Sequence, residues 1–157
     1  MPRKTYLFAP FAGFFLLGLF APAASASPTR AEAGVLRALN EARAERGLHP
    51  LQLDVQLEGA ARAHSADMLR ANYFEHGDFW SRMNAFHVRG PVTAENLAWG
   101  TGPYAQAEAI VAAWLASPPH RANLLRPGFT RVGVGEVQGS FLGNDGAAVV
   151  TADFAGS

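Results

Sequence analysis

The chain changes its hydrophobic period once, at Pro127-Gly128. Before that point apolar residues recur at intervals of three and four; after it they alternate. Helices first and strands last predict an α+β domain, with helices packed on a small antiparallel sheet. Residues 31–46 place Val35, Leu36, Leu39 and Ala42 on one helical face, with Gly47 as a capping candidate and Pro50 as a stop. Residues 54–72 form a second amphipathic segment, with Asp54 as N-cap and Leu57, Ala61, His64 and Met68 in line. Residues 104–117 form a third, with Ala107, Ile110, Val111 and Trp114 as its stripe. Residues 131–138 and 147–154 read as a hairpin around the turn-forming Gly143-Asn144-Asp145-Gly146. The connection 73–103 lacks sustained periodicity and is rich in aromatics, Gly and His; a connection of this length is functional or carries short elements of its own.

The N-terminus has the form of a secretory signal peptide. Arg3 and Lys4 precede an apolar run, and Ala24-Ser25-Ala26 is a small-x-small cleavage site. Pro10, Gly13 and Pro22 interrupt the run, so no unbroken stretch of ~20 apolar residues is available to span a bilayer. The expected organisation is a signal peptide over 1–26, a short lead-in over 27–33 and one domain over 34–157. The mature chain is expected outside the cell, with no transmembrane helix after cleavage. Cysteine is absent, which excludes thiol chemistry and Cys-ligated zinc and leaves stability to core packing. The near-neutral charge balance excludes a nucleic-acid binder, which needs a clustered basic footprint.

Of the five histidines, His49 and His87 read as surface residues and His64 as a packed, hydrogen-bonded core residue. His76 and His120 differ, because each lies at a break between elements, where a side chain can point into a cleft. Glu95 sits in a small and apolar stretch, where a lone carboxylate must be solvated, paired or a ligand. Two imidazoles and a carboxylate are the ligand set of open zinc sites. Their intervals, 76 to 95 and 95 to 120, match no compact metal motif. A second acid beside Glu95 would come from Asp78, Glu108 or Asp153, and nothing in the sequence pairs any of them with it. No serine carries a nucleophile-elbow signature, and Ser117 reads as a helix cap or terminator. Pro118 and Pro119 read as the stop that turns His120 away from a helical face.

Six stretches then occur in order: LNEARAERGLHPL (39–51), ARAHSADMLRANYFEHGD (61–78), AENLAWG (94–100), AAWLASPPHRANLL (112–125), GFTRVGVG (128–135) and TADF (151–154). Together they resemble the CAP superfamily of SCP-like domains, which comprises cysteine-rich secretory, antigen 5 and pathogenesis-related 1 proteins. The resemblance is greatest to its short, cysteine-free bacterial secreted members. It implies a CAP-type α–β–α sandwich, with helices flanking a small antiparallel sheet. It also implies a central cleft around a His/Glu/Glu/His tetrad that holds a divalent cation in some members. By motif position the tetrad falls on His76, Glu95 and His120, and the second glutamate position is Ser117. The missing carboxylate weakens attraction for a hard cation such as Ca²⁺, so Zn²⁺ or another divalent ion on His76, Glu95 and His120 is the cofactor candidate. The same positions give Asn96 a role in orienting Glu95, and Arg121 and Asn123 a role in the cleft wall, Arg121 as a bidentate partner for a carboxylate.

These readings make the chain an extracellular binding module, its ligand a small molecule, lipid or peptide. Two alternatives stand beside it: a metal-assisted hydrolase or protease, and a purely structural hydrogen-bond cluster.

Overall fold

The structure, a computed structural model, describes residues 27–91 and 93–156. The signal peptide expected over 1–26 lies outside the described residues. α1 (Arg30–Ala44) begins inside the stretch expected to be a lead-in. The reason is a capping box: Thr29 Oγ1 accepts from Glu32 N and Glu32 Oε2 accepts from Thr29 N. A two-residue strand β1 (Gln52–Leu53) leads into α2 (Val55–Ala71), whose first turn is capped by Asp54 at Gln56 N and Leu57 N. The long connection carries two elements of its own, α3 (Phe79–Ala85) and β2 (Thr93–Thr101). A 3-10 turn (Gly102–Ala105) precedes α4 (Ala107–Ala116), so the third helix starts later than its apolar pattern predicts.

Pro118 and Pro119 do more than stop α4. They are the first two residues of α5 (Pro118–Leu124), where a missing N–H costs nothing, and His120 therefore rides on a helix. Ser117 joins the two helices and makes no side-chain cap bond to either. The hairpin strands, β3 (Phe129–Phe141) and β4 (Asn144–Gly156), are longer than expected. The turn falls on Leu142-Gly143, one step before the predicted Gly143–Gly146, because Phe141 pairs with Asn144. Both turn residues have positive φ, 48° and 79°, the hand that matches strand twist.

The sheet has the order β1-β3-β4-β2, with β1 parallel to β3 and the other pairs antiparallel. Val132 and Val134 of β3, with Val150, Ala152 and Phe154 of β4, face α1, α4 and α5 and form the larger core with Leu39, Ile110 and Trp114. The opposite face carries α2. There the glycines of VGVG (132–135) are a contact surface: a Cβ on Gly133 would lie 2.0 Å from the α2 backbone, and one on Gly135 2.3 Å from it. α2 thus rests directly on β3, and the molecule is the α–β–α sandwich expected.

Candidate functional site

Alternation along β2 sends neighbouring residues to opposite faces. Leu97 belongs to the small core under α2, whereas Ala94 and Ala98 pack on the core under α4 and α5. Glu95 consequently faces α2, and Asn96 faces α5.

Glu95 is buried, and each of its carboxylate oxygens accepts a hydrogen bond. His76 Nδ1 donates to Oε1 at 2.7 Å, and Arg82 Nη2 donates to Oε2. His64 Nε2 lies 3.8 Å from Oε2 and donates to Glu75 O at 3.0 Å. Directly opposite Glu95 in the β2–β4 register stands Asp153, wholly buried. Neither Asp153 oxygen has a donor among the described residues. Burial, reinforced by the Glu95 charge, pushes the Asp153 carboxyl well above the usual range. A protonated Asp153 donating to Glu95 is the arrangement that satisfies both groups. Burial holds the His64 imidazole below its ordinary value against the opposing pull of Glu95, so His64 is neutral at pH 7.

On the other face Asn96 Nδ2 donates to His120 O at 3.0 Å. Asn123 Nδ2 donates to Asn96 Oδ1 at 3.0 Å and to Glu95 O at 3.3 Å. Trp114 Nε1 donates to Leu97 O at 2.9 Å. Side chains of α4 and α5 therefore satisfy carbonyls of the edge strand and fix the height of Glu95. Arg43 holds the far end of α5: this buried guanidinium donates to His49 O, Leu124 O, Arg126 O and Phe129 O at 2.8–3.1 Å.

The expected site residues divide accordingly. His76 and Glu95 meet. His120 approaches through its backbone carbonyl; its half-buried ring forms no hydrogen bond or ion pair with Glu95 among the described residues. Burial, then the nearby His76, lowers its pKa. Asn96 and Asn123 act as supports, though on the α5 side of the strand. Arg121 is exposed and pairs with no carboxylate among the described residues; that role falls to Arg82. Ser117 brings no carboxylate to the site. His64 is the packed, hydrogen-bonded histidine expected, and it also borders Glu95. Arg82 carried no signal in the sequence. Asp153 did carry one, an acid inside the apolar TADF strand, but only the β2–β4 register pairs it with Glu95.

A shallow cleft of about 390 Å³ opens beside the cluster, lined by His64, Asp67, Tyr73, Gly77, Asp78 and Arg82. No serine is poised there for attack. Ser65 is buried on Gly135 O and Thr151, and Ser81 is bound to Asp78. Nor does the set fit a divalent cation. Both Glu95 oxygens are engaged, the His64 nitrogen nearest them carries a proton given to Glu75 O, and no group of three His, Asp or Glu side chains among the described residues is placed to hold a metal.

The cysteine-rich secretory protein (CAP) family profile matches residues 36–154. The chain belongs to the CAP family. It is 38% identical over 120 residues to YkwD of Bacillus subtilis, covering 73% of this chain and 46% of that protein. The match to the B. subtilis membrane protein YlbC is 35% over 112 residues, covering 68% of this chain and 32% of the other. The chain thus spans less than half the length of these curated relatives. Among solved structures, an extracellular SCP-domain protein of Bacillus anthracis superposes with a TM-score of 0.68 at 29% identity, over 80% of this chain and 40% of that one. An outer surface protein of Borrelia burgdorferi does so with a TM-score of 0.63 at 22% identity, over 78% and 90%. The latter supports the CAP fold alone.

Proposed function

We propose that this CAP domain is exported and acts by binding an extracellular ligand, a small molecule, lipid or peptide, at the cleft beside Glu95. The observation that carries the reading is the state of His76. Its side chain is 58% exposed, yet its Nδ1 is held by a buried carboxylate. The ring is therefore pre-oriented, next in sequence to the cleft-lining Gly77 and bonded through its carbonyl to the cleft-lining Arg82, and pre-organisation of this kind lowers the cost of binding. The signal-like N-terminus, with Arg3 and Lys4 before an apolar run and Ala24-Ser25-Ala26 after it, supports export. So does the likeness to an extracellular SCP-domain protein of Bacillus anthracis.

The test is a heteronuclear NMR titration of the purified chain with three probes in turn: a pool of short peptides, phosphatidylcholine–phosphatidylglycerol vesicles and a fragment library. One class is expected to shift the His76, Tyr73 and Arg82 resonances, and to lose at least tenfold in affinity against His76→Ala. A response identical in wild type and variant, or none, defeats the reading. Hydrolysis is the second reading, because a carboxylate-held imidazole is also the geometry of a general base. It requires cleavage of the peptide pool that His76→Gln abolishes.

A further inference from the structure

We infer that Arg82 is the resident cation of this site, occupying the position beside Glu95 that a divalent metal ion would need. The assignment rests on contacts and does not depend on the binding reading above. Glu95 Oε2 accepts from Arg82 Nη2, and Oε1 accepts from His76 Nδ1 at 2.7 Å. A metal ion ligated by either oxygen would have to share it with one of these donors, and on Oε2 it would stand against the Arg82 guanidinium unless that group moved away. Displacing Arg82 strands a guanidinium whose side chain is only 11% exposed, and a buried charge that has lost its partner is strongly unfavourable.

Arg82 is pinned from several directions. Its Nη1 donates to His76 O at 3.3 Å, and its guanidinium lies 5.7 Å from the centre of the Phe79 ring. It therefore joins α3, the loop carrying His76 and the edge strand in one contact. A mobile surface arginine could swing aside for an incoming ion; this one is held by three partners. The remaining donors do not compensate. The His64 nitrogen facing Oε2 donates its proton to Glu75 O, so its lone pair is not offered to a metal. Ser117 supplies no carboxylate. A dication placed here would meet one carboxylate and a fixed positive charge.

The experiment uses the purified chain without a histidine tag. Zn²⁺ uptake is followed by isothermal titration, and thermal melts are run with EDTA and with excess Zn²⁺. Wild type is expected to show no one-equivalent uptake and no shift in Tm with either reagent. Arg82→Lys, which keeps the cation, is expected to behave likewise. Arg82→Gln vacates Glu95 and is expected to melt lower and to take up Zn²⁺ at least tenfold more tightly than wild type. One-equivalent binding to wild type that Glu95→Gln abolishes overturns the assignment. So does a folded Arg82→Gln with no gain in Zn²⁺ affinity. If Arg82→Gln fails to fold, wild type and Arg82→Lys still decide: Zn²⁺ uptake by either one counts against Arg82 as the resident cation.

Discussion

Glu95 and Asp153 face each other across β2 and β4, with the Arg82 guanidinium and the His64 and His76 imidazoles around Glu95. Two adjacent buried carboxylates cannot both ionise cheaply, and Asp153, with no donor of its own, is the one that keeps the proton. In the unfolded chain the same side chain releases its proton near pH ~3.9. The native state therefore binds more protons above that point. Stability from this group is fully present below pH ~4 and is lost as pH rises through the raised native value. Asp153→Asn, whose amide can donate to Glu95 without titrating, is expected to match wild type at pH ~4. At pH 7 it is expected to be more stable than wild type, the difference growing as pH rises from 4. Thermal melts from pH 4 to 8 check this, and a variant less stable than wild type at pH 7 would place a working charge on Asp153. The sequence carried Glu95 and His76 to this site because an isolated acid in an apolar strand and a histidine at a helix break are local anomalies. Arg82 and Asp153 lacked such a signal or lacked its partner, since an arginine on a short helix and an acid in a distant strand become neighbours only through packing.

At the scale of elements, the glycines of β3 set the distance between α2 and the sheet. The sequence shows alternation of valine with small residues, but alternation alone does not say whether the small face meets solvent or a helix. Close approach of the α2 backbone requires the latter, and a substitution test separates two kinds of site. Gly135→Ala places a Cβ 2.3 Å from the Arg62 backbone nitrogen and is expected to cost about 1–3 kcal/mol or more, because a helix backbone cannot yield locally. Gly139→Ala meets only the Leu69 side chain at 3.1 Å, which can rotate, and is expected to cost clearly less. Urea denaturation of the two variants gives the comparison. The Pro-Pro junction follows the same pattern: chemistry marks a break there, and only the structure shows that a second helix starts on it.

For the whole molecule, the absence of cysteine leaves cohesion to packing and buried polar ties, of which Arg43 is one. One side chain of α1 bonds carbonyls from the loop before β1, the end of α5 and the start of β3. It thereby clamps the helix whose Asn123 supports Glu95. Arg43→Met fills similar volume but leaves four carbonyls without this donor, and is expected to cost on the order of 3–5 kcal/mol. Hydrogen exchange should then quicken first over residues 118–126; uniform loss of protection would mean the clamp is not local to α5.

What the sequence determined by itself is what depends on near neighbours: the change from helical to alternating period, the capped start of α2, the pairing of the last two strands, and the oddity of Glu95, His76 and His120. The family pattern of motifs adds the α–β–α layering. The tertiary structure decided which of those oddities meet. Successive residues of an edge strand face opposite ways, so Glu95 and Asn96 serve different layers and the His120 ring does not bond Glu95. It also decided the charge of the site, because register and helix placement bring Asp153 and Arg82 to Glu95 from parts of the chain whose local sequence contains no trace of the contact.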